Sequence, residues 1–398
     1  MKKILAPDQE NPVPENTEVS DHTTSYSKGD ENLSYIFNNV PQDIEIIEVS
    51  SGILWARIPL PWTLDHINVY LLDEGDGWTV IDTGAQGKRG RAMWQRLEKK
   101  VMGAKPILNV VATHMHPDHL GLAGWLVKRH GAKFYCTLGE YLMAQTLWLG
   151  AKPHMPQHDM DFLFRSGVSR KYEEMIRAAG FGRFKKGVHK LPESFQRMEE
   201  GMVLTFGGRK WSVVIGRGHS PEHACLVCLD EPLMISGDQI LPDITSNVSV
   251  YAREPYANPL AHWISSLDRM KGLKGDPVVL PSHGKVFTGL QNRLETLISG
   301  HIRKLGGLHA YCDSPVTAVE TFPALYRRKI SGMEFFMALG EALAHIHLLE
   351  SLDLMTRTID GDVYKFQAKG AIDSVDITAA VAKLPGISLP VLDALVAE

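Results

Sequence analysis

Residues 113–120 read THMHPDHL, and five side chains able to bind a metal or move a proton fall within them: Thr113, His114, His116, Asp118 and His119. An apolar run, 107–112, leads into the stretch. Beyond it Leu122, Trp125, Leu126 and Arg129 recur at helical spacing until Gly131 supplies a stop. The cluster is therefore expected in a loop at the C-terminal end of a strand. On an extended segment His114 and His116 project to the same side. Pro117 then turns the chain, and Asp118 and His119 enter the first helical turn. One reversal of the backbone thus aims two imidazoles at one point and a carboxylate plus an imidazole at another. Taken singly, each residue has a plainer role: Asp118 as a helix cap, His119 as a first-turn surface residue, His114 and His116 as core histidines. Those roles leave the spacing of all four unexplained, and metal binding is the reading adopted.

Four ligands in one loop cannot complete two metal sites, so the reading demands remote partners. Three candidates each follow an apolar run: His219 in GRGHSPEH, Asp238 in ISGDQIL and His283 in LPSHGK. Each alone could be a turn or capping residue, but the repeated strand-end position favours ligands. Asp82, at the end of the run WTVIDTG, taken alone reads as a cap or turn residue.

Working outward, the runs IEIIEV, ILWARIPL, INVYLLDE and WTVIDTG have the length and the Ile, Val, Tyr and Trp content of strands, with a hairpin signal at Gly75, Asp76 and Gly77. A basic amphipathic helix follows over about 88–101. Residues 139–200 read as a helical insertion near the site, and its His154, His158 and His189 read as surface or core residues. A second strand series (MVLTFGG, KWSVVIGRGHSPEH, ACLVCLDE, PLMISGDQIL) precedes an exposed helix at about 260–270 and the strand PVVLPSHGK. Two β-rich halves, each followed by helices, suggest an α/β fold of the αββα sandwich type. The expected organisation is a flexible tail over 1–35, a catalytic domain over 36–307 and a C-terminal domain over 308–398. In the last, an apolar helix over 332–352 and two short strands around Asp360-Gly361 resemble a winged-helix module, followed by one or two short helices. Its mixed charge favours packing or dimerisation, as in a homodimer, over nucleic-acid binding.

Composition adds few constraints. With 44% hydrophobic and 22% charged residues and a net charge of -4, the chain has the make-up of an ordinary globular protein with no general attraction for nucleic acid or an anionic membrane. The first residues form no secretory apolar core and no run suggests a membrane span, so a soluble, cytoplasmic protein is expected. Of four cysteines, Cys225 and Cys228 form a CxxC, but in a strand positions i and i+3 point to opposite faces, so buried structural cysteines are expected.

THMHPDHLG, with IDTG before it and GHS, SGD and PSHG after it, resembles the metallo-β-lactamase fold superfamily over about residues 45–300. The resemblance implies one metal held by His114, His116 and His219, a second held by Asp118, His119 and His283, and Asp238 bridging them. It implies that Asp82 orients a ligand histidine from beneath the site. A carboxylate at the bridge is similar to the glyoxalase II and thioesterase-like branch. The implied cofactors are two divalent ions, with zinc suited to the histidine-rich set and iron or manganese also compatible. Two ions sharing a water would stabilise hydroxide for attack on the carbonyl of a small acyl thioester or ester, acyl-CoA or acylglutathione-like, with Asp118 helping to move the proton. A lactonase is the nearest alternative; a metal-dependent ribonuclease and a non-catalytic metal-binding regulatory protein are more distant ones. His223, Tyr251 and Arg253 follow the metal motifs and are candidate substrate contacts.

Overall fold

A computed structural model describes residues 33–103, 105–332, 334–387 and 392. The expected tail lies outside the described residues up to position 32. Its last residues are part of the fold, because Leu33 is buried and Ser34–Tyr35 (β1) forms an edge strand.

The apolar runs build two seven-stranded sheets. The first takes Ile47–Ser50 (β2), Ile53–Pro59 (β3), His66–Asp73 (β4), Trp78–Ile81 (β5), Ile107–Val111 (β6), Lys133–Thr137 (β7) and Gln196–Met198 (β8) in chain order. Strands β2 to β5 are antiparallel, while β5 to β8 are parallel and so need long crossovers. Lys88–Lys100 (α1) carries the first crossover. Pro117–Leu120 (α2) and Ala123–His130 (α3) carry the second. Leu138–Leu149 (α4), Gln157–Arg165 (α5), Glu173–Ala179 (α6) and Arg183–Gly187 (α7) carry the third. The expected insertion over 139–200 is thus helical only as far as Gly187. Its end returns to the sheet as β8, a strand too short to show an alternating pattern.

The second sheet contains Val203–Phe206 (β9), Arg209–Gly216 (β10), His223–Cys228 (β11), Leu233–Gly237 (β12), Val278–Pro281 (β13) and Phe287–Thr288 (β14), with β1 outside β14. Its one parallel pair, β12 with β13, is joined through Pro259–Met270 (α8). Alternation along the strands separates three apolar layers. Ile67, Val69 and Leu71 of β4 face α1 and α3, whereas Tyr70 and Leu72 face the other sheet. Trp211, Val213 and Ile215 of β10 meet them there, and Val214 points outward to α8. This is the expected αββα sandwich. Cys225 and Cys228 lie in different layers, on opposite faces of β11 as the strand reading requires. All four cysteines are buried and free, and burial pushes Cys312 up to about 11.

Helix α8 is not the exposed helix expected at 260–270. Leu260, Trp263, Ile264, Leu267 and Met270 are all buried between the second sheet and the C-terminal helices. Those helices are Leu290–Tyr311 (α9), which runs through residue 307 without a break, Phe322–Leu325 (α10) and Glu334–Ser351 (α11). A hairpin of Met355–Asp360 (β15) and Val363–Ala368 (β16) and a short helix, Ile377–Val381 (α12), follow. The hairpin turn is Gly361-Asp362, one residue later than expected, because Asp360 still pairs with Val363. Gly361 takes a φ of +62° in that turn. Among the described residues no helix is long and apolar enough to cross a membrane.

Candidate metal centre

Every expected ligand sits where a strand of the sandwich ends. The loop 112–116 leaves β6 and enters α2 with Pro117 at its first position, which suits the fixed φ of proline. The IDTG turn after β5 clamps this loop. Thr83 donates to the His119 carbonyl from both its backbone N–H and its hydroxyl, each at 2.7 Å, and Trp94 Nε1 donates to the Thr83 carbonyl at 2.7 Å. His283 follows β13, where Asn68 Nδ2 and Tyr70 Oη both donate to the Pro281 carbonyl at 2.8 Å. Asp238 follows β12, and Ser246 Oγ donates to its carbonyl.

The seven side chains converge in two overlapping sets. His114 Nε2 lies 2.9 Å from His116 Nδ1 and 3.2 Å from His219 Nε2. Asp118 Oδ2 lies 3.6 Å from His119 Nε2 and 3.4 Å from His283 Nε2. Asp238 stands between the sets: Oδ2 is 3.5 Å from both His119 Nε2 and His219 Nε2, and Oδ1 is 3.4 Å from His283 Nε2. Ligands about 2.1 Å from a tetrahedral ion are separated by about 3.4 Å, so most of these separations match edges of a coordination polyhedron. His119 Nε2, His283 Nε2 and Asp238 Oδ1 are buried with no hydrogen-bond partner, a costly condition that a cation relieves. His154, His158 and His189 belong to none of these groups.

The far nitrogens are occupied, which fixes the direction in which each ring points. His219 Nδ1 donates to the Asn247 carbonyl at 2.7 Å and His283 Nδ1 to the His66 carbonyl at 2.9 Å. His119 Nδ1 lies 2.8 Å from Asp82 Oδ2. Asp82 is 2% exposed, and its Oδ1 accepts from the Thr113 N–H at 2.8 Å. It thus holds the metal loop and one ligand together.

In the protein alone the two sets differ electrically. Burial, then the surrounding imidazoles, hold His114 well below the usual imidazole range. Desolvation and His219 push His116 down to about 3, which leaves both rings neutral and ready to ligate. Burial also opposes charge on His119, but Asp238, Asp82 and Asp118 outweigh it and hold His119 well above its ordinary value. His283 is raised against burial by Asp238 and Asp118. Asp118 is brought to about 2 against burial by His119 and His283. The proton on His119 stands where cationic charge belongs.

Glu140, which no motif in the sequence marks, braces the first set. It is fully buried in the first turn of α4, and burial raises its carboxyl. Its Oε2 accepts from the Met115 N–H at 2.8 Å, and its Oε1 accepts from Ser220 Oγ and the Glu222 N–H, each at 2.7 Å. One carboxylate therefore ties the loop of His114 and His116 to the loop of His219. His223 is a correction. It is fully buried behind the centre, stacked on His114 at 4.7 Å, and its Nε2 accepts from the Asp238 N–H at 3.0 Å. It does not line the cavity; its ring meets the backbone of Asp238 from behind.

Tyr251 and Arg253 do line a cavity of about 550 Å³ that opens beside His116 and His219. Met143, Leu147, Phe181 and Phe184 give it an apolar wall, and Arg217, Asp159 and His262 lie elsewhere on its surface.

The sequence model described as the Metallo-beta-lactamase superfamily matches residues 62–283, and that of a metallo-beta-lactamase-like C-terminal domain matches residues 305–369. A solved beta-lactamase domain protein from Burkholderia ambifaria superposes with a TM-score of 0.74 at 35% identity, covering 84% of this chain and 98% of that one. A metallo-beta-lactamase family protein from Thermus thermophilus shares the fold at a TM-score of 0.68 and 24% identity, covering 81% of this chain and all of its own. The probable metallo-hydrolase YqjP of Bacillus subtilis is 26% identical over 328 residues, 80% of this chain and 98% of its own length. The atrochrysone carboxyl ACP thioesterase dmxR1 of Cryptosporiopsis sp. is 24% identical over 270 residues, 66% of this chain but 63% of that protein.

Proposed function

The chain belongs to the metallo-β-lactamase superfamily and is a metal-dependent hydrolase, and from that premise we propose that it cleaves an acyl thioester or ester at a dinuclear centre. The observation that carries this reading is the pair of ligand sets sharing Asp238, with separations of 3.4–3.5 Å to that residue and unpartnered buried atoms facing one another. His114, His116 and His219 would hold one ion; Asp118, His119 and His283 would hold the other. Two divalent ions there would supply Lewis acidity, the chemistry that activates water near neutral pH and polarises a carbonyl. Zinc suits the imidazoles, and iron or manganese tolerate the two carboxylates.

The chain's own residues do the rest. His223 and Ser246 hold the backbone of Asp238 from both sides, so that its carboxylate faces both sets. Asp118 takes up the proton of the attacking water at its carboxylate. The apolar wall of Met143, Leu147, Phe181 and Phe184 receives the acyl chain, and 550 Å³ suits a medium-sized acyl group. The thioesterase relative adds support for an acyl substrate.

A panel of acyl-CoA, acylglutathione and lactone substrates with metal-loaded protein tests the reading. Thioester turnover that disappears on chelation and returns with metal is the expected result. A preference for the lactone would move the assignment to a lactonase, and inertness toward every acyl substrate would sink it.

A further inference from the structure

The cavity beside the centre holds two cations that the proposed chemistry does not use. Arg217 stands at the end of β10, two residues before His219. Its backbone is fixed, since its N–H donates to Ser266 Oγ of α8 at 2.9 Å and Gly218, at φ +104°, passes so close to α8 that a Cβ would lie 2.5 Å from the Pro259 carbonyl. Its side chain is another matter. The guanidinium is half-buried, Nε is fully buried without a partner, and among the described residues no group pairs with it. Arg253 lies on the same cavity, 5.1 Å over the ring of Phe181, and it too makes no ion pair with a described residue.

Three carboxylates are present nearby, and none forms an ion pair with either guanidinium. Asp159 pairs with His158 at 3.0 Å and is stabilised at longer range by the charge of Arg253, Glu222 accepts from the Gly139 N–H at 2.7 Å, and Glu254 is exposed. His262, also on the cavity, is held below its ordinary value by burial and then by the charge of Arg217, so it stays neutral beside that cation. A half-buried guanidinium left unpaired is expensive, and an arginine fork matches a carboxylate or phosphate in shape and charge.

We propose that Arg217 and Arg253 form an anion subsite of the cavity and that the substrate is an acyl thioester or ester carrying a carboxylate or phosphate a few bonds from the scissile carbonyl. The substrate part of this inference rests on the hydrolase reading above; the subsite does not. The anion enters on either the acyl side or the thiol side, since the same fork binds both. Arg217 is the inner contact and Arg253, exposed at the mouth, the outer one.

The test uses 3-(octylthio)propionate and its neutral alcohol counterpart, 3-(octylthio)propan-1-ol, two thioethers that cannot be hydrolysed, titrated calorimetrically into metal-loaded full-length protein. The variants are Arg217→Gln and Arg253→Gln, with Arg129→Gln, whose guanidinium pairs with Glu98, as control. The side chain of Arg217 makes no described hydrogen bond, so its replacement removes nothing that supports the fold. The carboxylate should bind about 10- to 100-fold more tightly than the alcohol, the range of a charge-assisted hydrogen bond. Arg217→Gln should erase that preference, Arg253→Gln should reduce it, and the control should keep it. A preference that survives both substitutions places the anion on the metal ligands and overturns the subsite; so does no preference in the parent protein. Hydrolysis then locates the charge. Succinyl against butyryl thioesters of N-acetylcysteamine probe the acyl side, and acetyl thioesters of 3-mercaptopropionate against propanethiol probe the thiol side. A rate ratio that depends on Arg217 in either pair supports the substrate class, and turnover with no such dependence overturns it. If no ester or thioester turns over while the binding preference holds, the hydrolase reading fails and the subsite stands.

Discussion

Replacing Asp82 by Asn isolates the one proton on which the orientation of His119 depends. Asp82 sits at φ +60°, in the left-handed region that Asn enters nearly as readily, whereas Ala would add about 1–2 kcal/mol of backbone strain. The Asn carbonyl can still accept from the Thr113 N–H, now at 2.8 Å. The amide NH2 then replaces Oδ2 and faces His119 Nδ1, now 2.8 Å away. The opposite amide orientation would set two N–H groups against each other at Thr113. The imidazole must therefore offer a lone pair at Nδ1 and carry its proton on Nε2, the atom that faces Asp118 and Asp238. Loss of such an outer partner costs about 10- to 100-fold in metal affinity, or about 1.4–2.7 kcal/mol. Competition with a chelator, read as metal retained per chain, measures this, and thermal unfolding of the metal-free protein serves as control. One of the two ions should be lost first, with little change in the metal-free melting temperature. Unchanged retention of both ions would refute the role given to Asp82, and loss of both together with the fold would show that the residue is merely structural.

Three other changes probe the surroundings of the centre. Glu140→Ala leaves the buried Met115 N–H, the half-buried Glu222 N–H and the Ser220 hydroxyl without their acceptor. At about 1–3 kcal/mol for each, partly offset by entering water, unfolding in urea should show a loss of about 2–5 kcal/mol and a weaker first metal set. Gly237, at φ +55°, has no room for a Cβ, which would overlap the His223 ring; Gly237→Ala should cost about 2–4 kcal/mol and cut turnover by displacing Asp238. Normal stability and activity in that variant would contradict the packing described. His119 is held well above its ordinary value, so in metal-free protein at neutral pH it carries a proton that metal must displace, and the upward shift of His283 acts in the same direction. Apparent affinity should therefore rise with pH, and calorimetry in buffers of different ionisation enthalpy should reveal released protons; heats independent of buffer would contradict this. For the metal-free fold, stability from these raised imidazoles is present below about pH 6.5 and lost as pH climbs through their folded values. Asp118 contributes oppositely: its stabilisation is present above about pH 4 and lost as pH falls toward 2.

Much of the centre was legible because its residue types are uncommon at strand ends and recur there in order. His219, Asp238 and His283 each follow an apolar run, and a run of that kind must stop at the edge of the sheet, where the structure gathers all three. The strands themselves were legible from burial on both faces, as in β11, where all six residues are buried. Glu140 was not, because a lone carboxylate in LGEYLM resembles any first-turn acid, and its partners lie 25 and 80 to 82 residues away. His223 was misplaced because proximity in sequence to His219 says nothing about which face of β11 it takes. Helix α8 looked exposed because its serines, histidine and aspartate break the apolar stripe. In the fold Ser266 is buried and accepts from the Arg217 N–H. The cavity wall is assembled from α4 and the segment 181–184, a tertiary coincidence that no local pattern announces.

The most direct test is the metal content of protein purified without added metal and then reloaded, measured by plasma mass spectrometry and located by anomalous diffraction at the metal edges. Two ions per chain are expected, one among His114, His116 and His219, the other among Asp118, His119 and His283, both touching Asp238. A single ion supporting full turnover, or ions bound away from these side chains, would contradict the dinuclear centre.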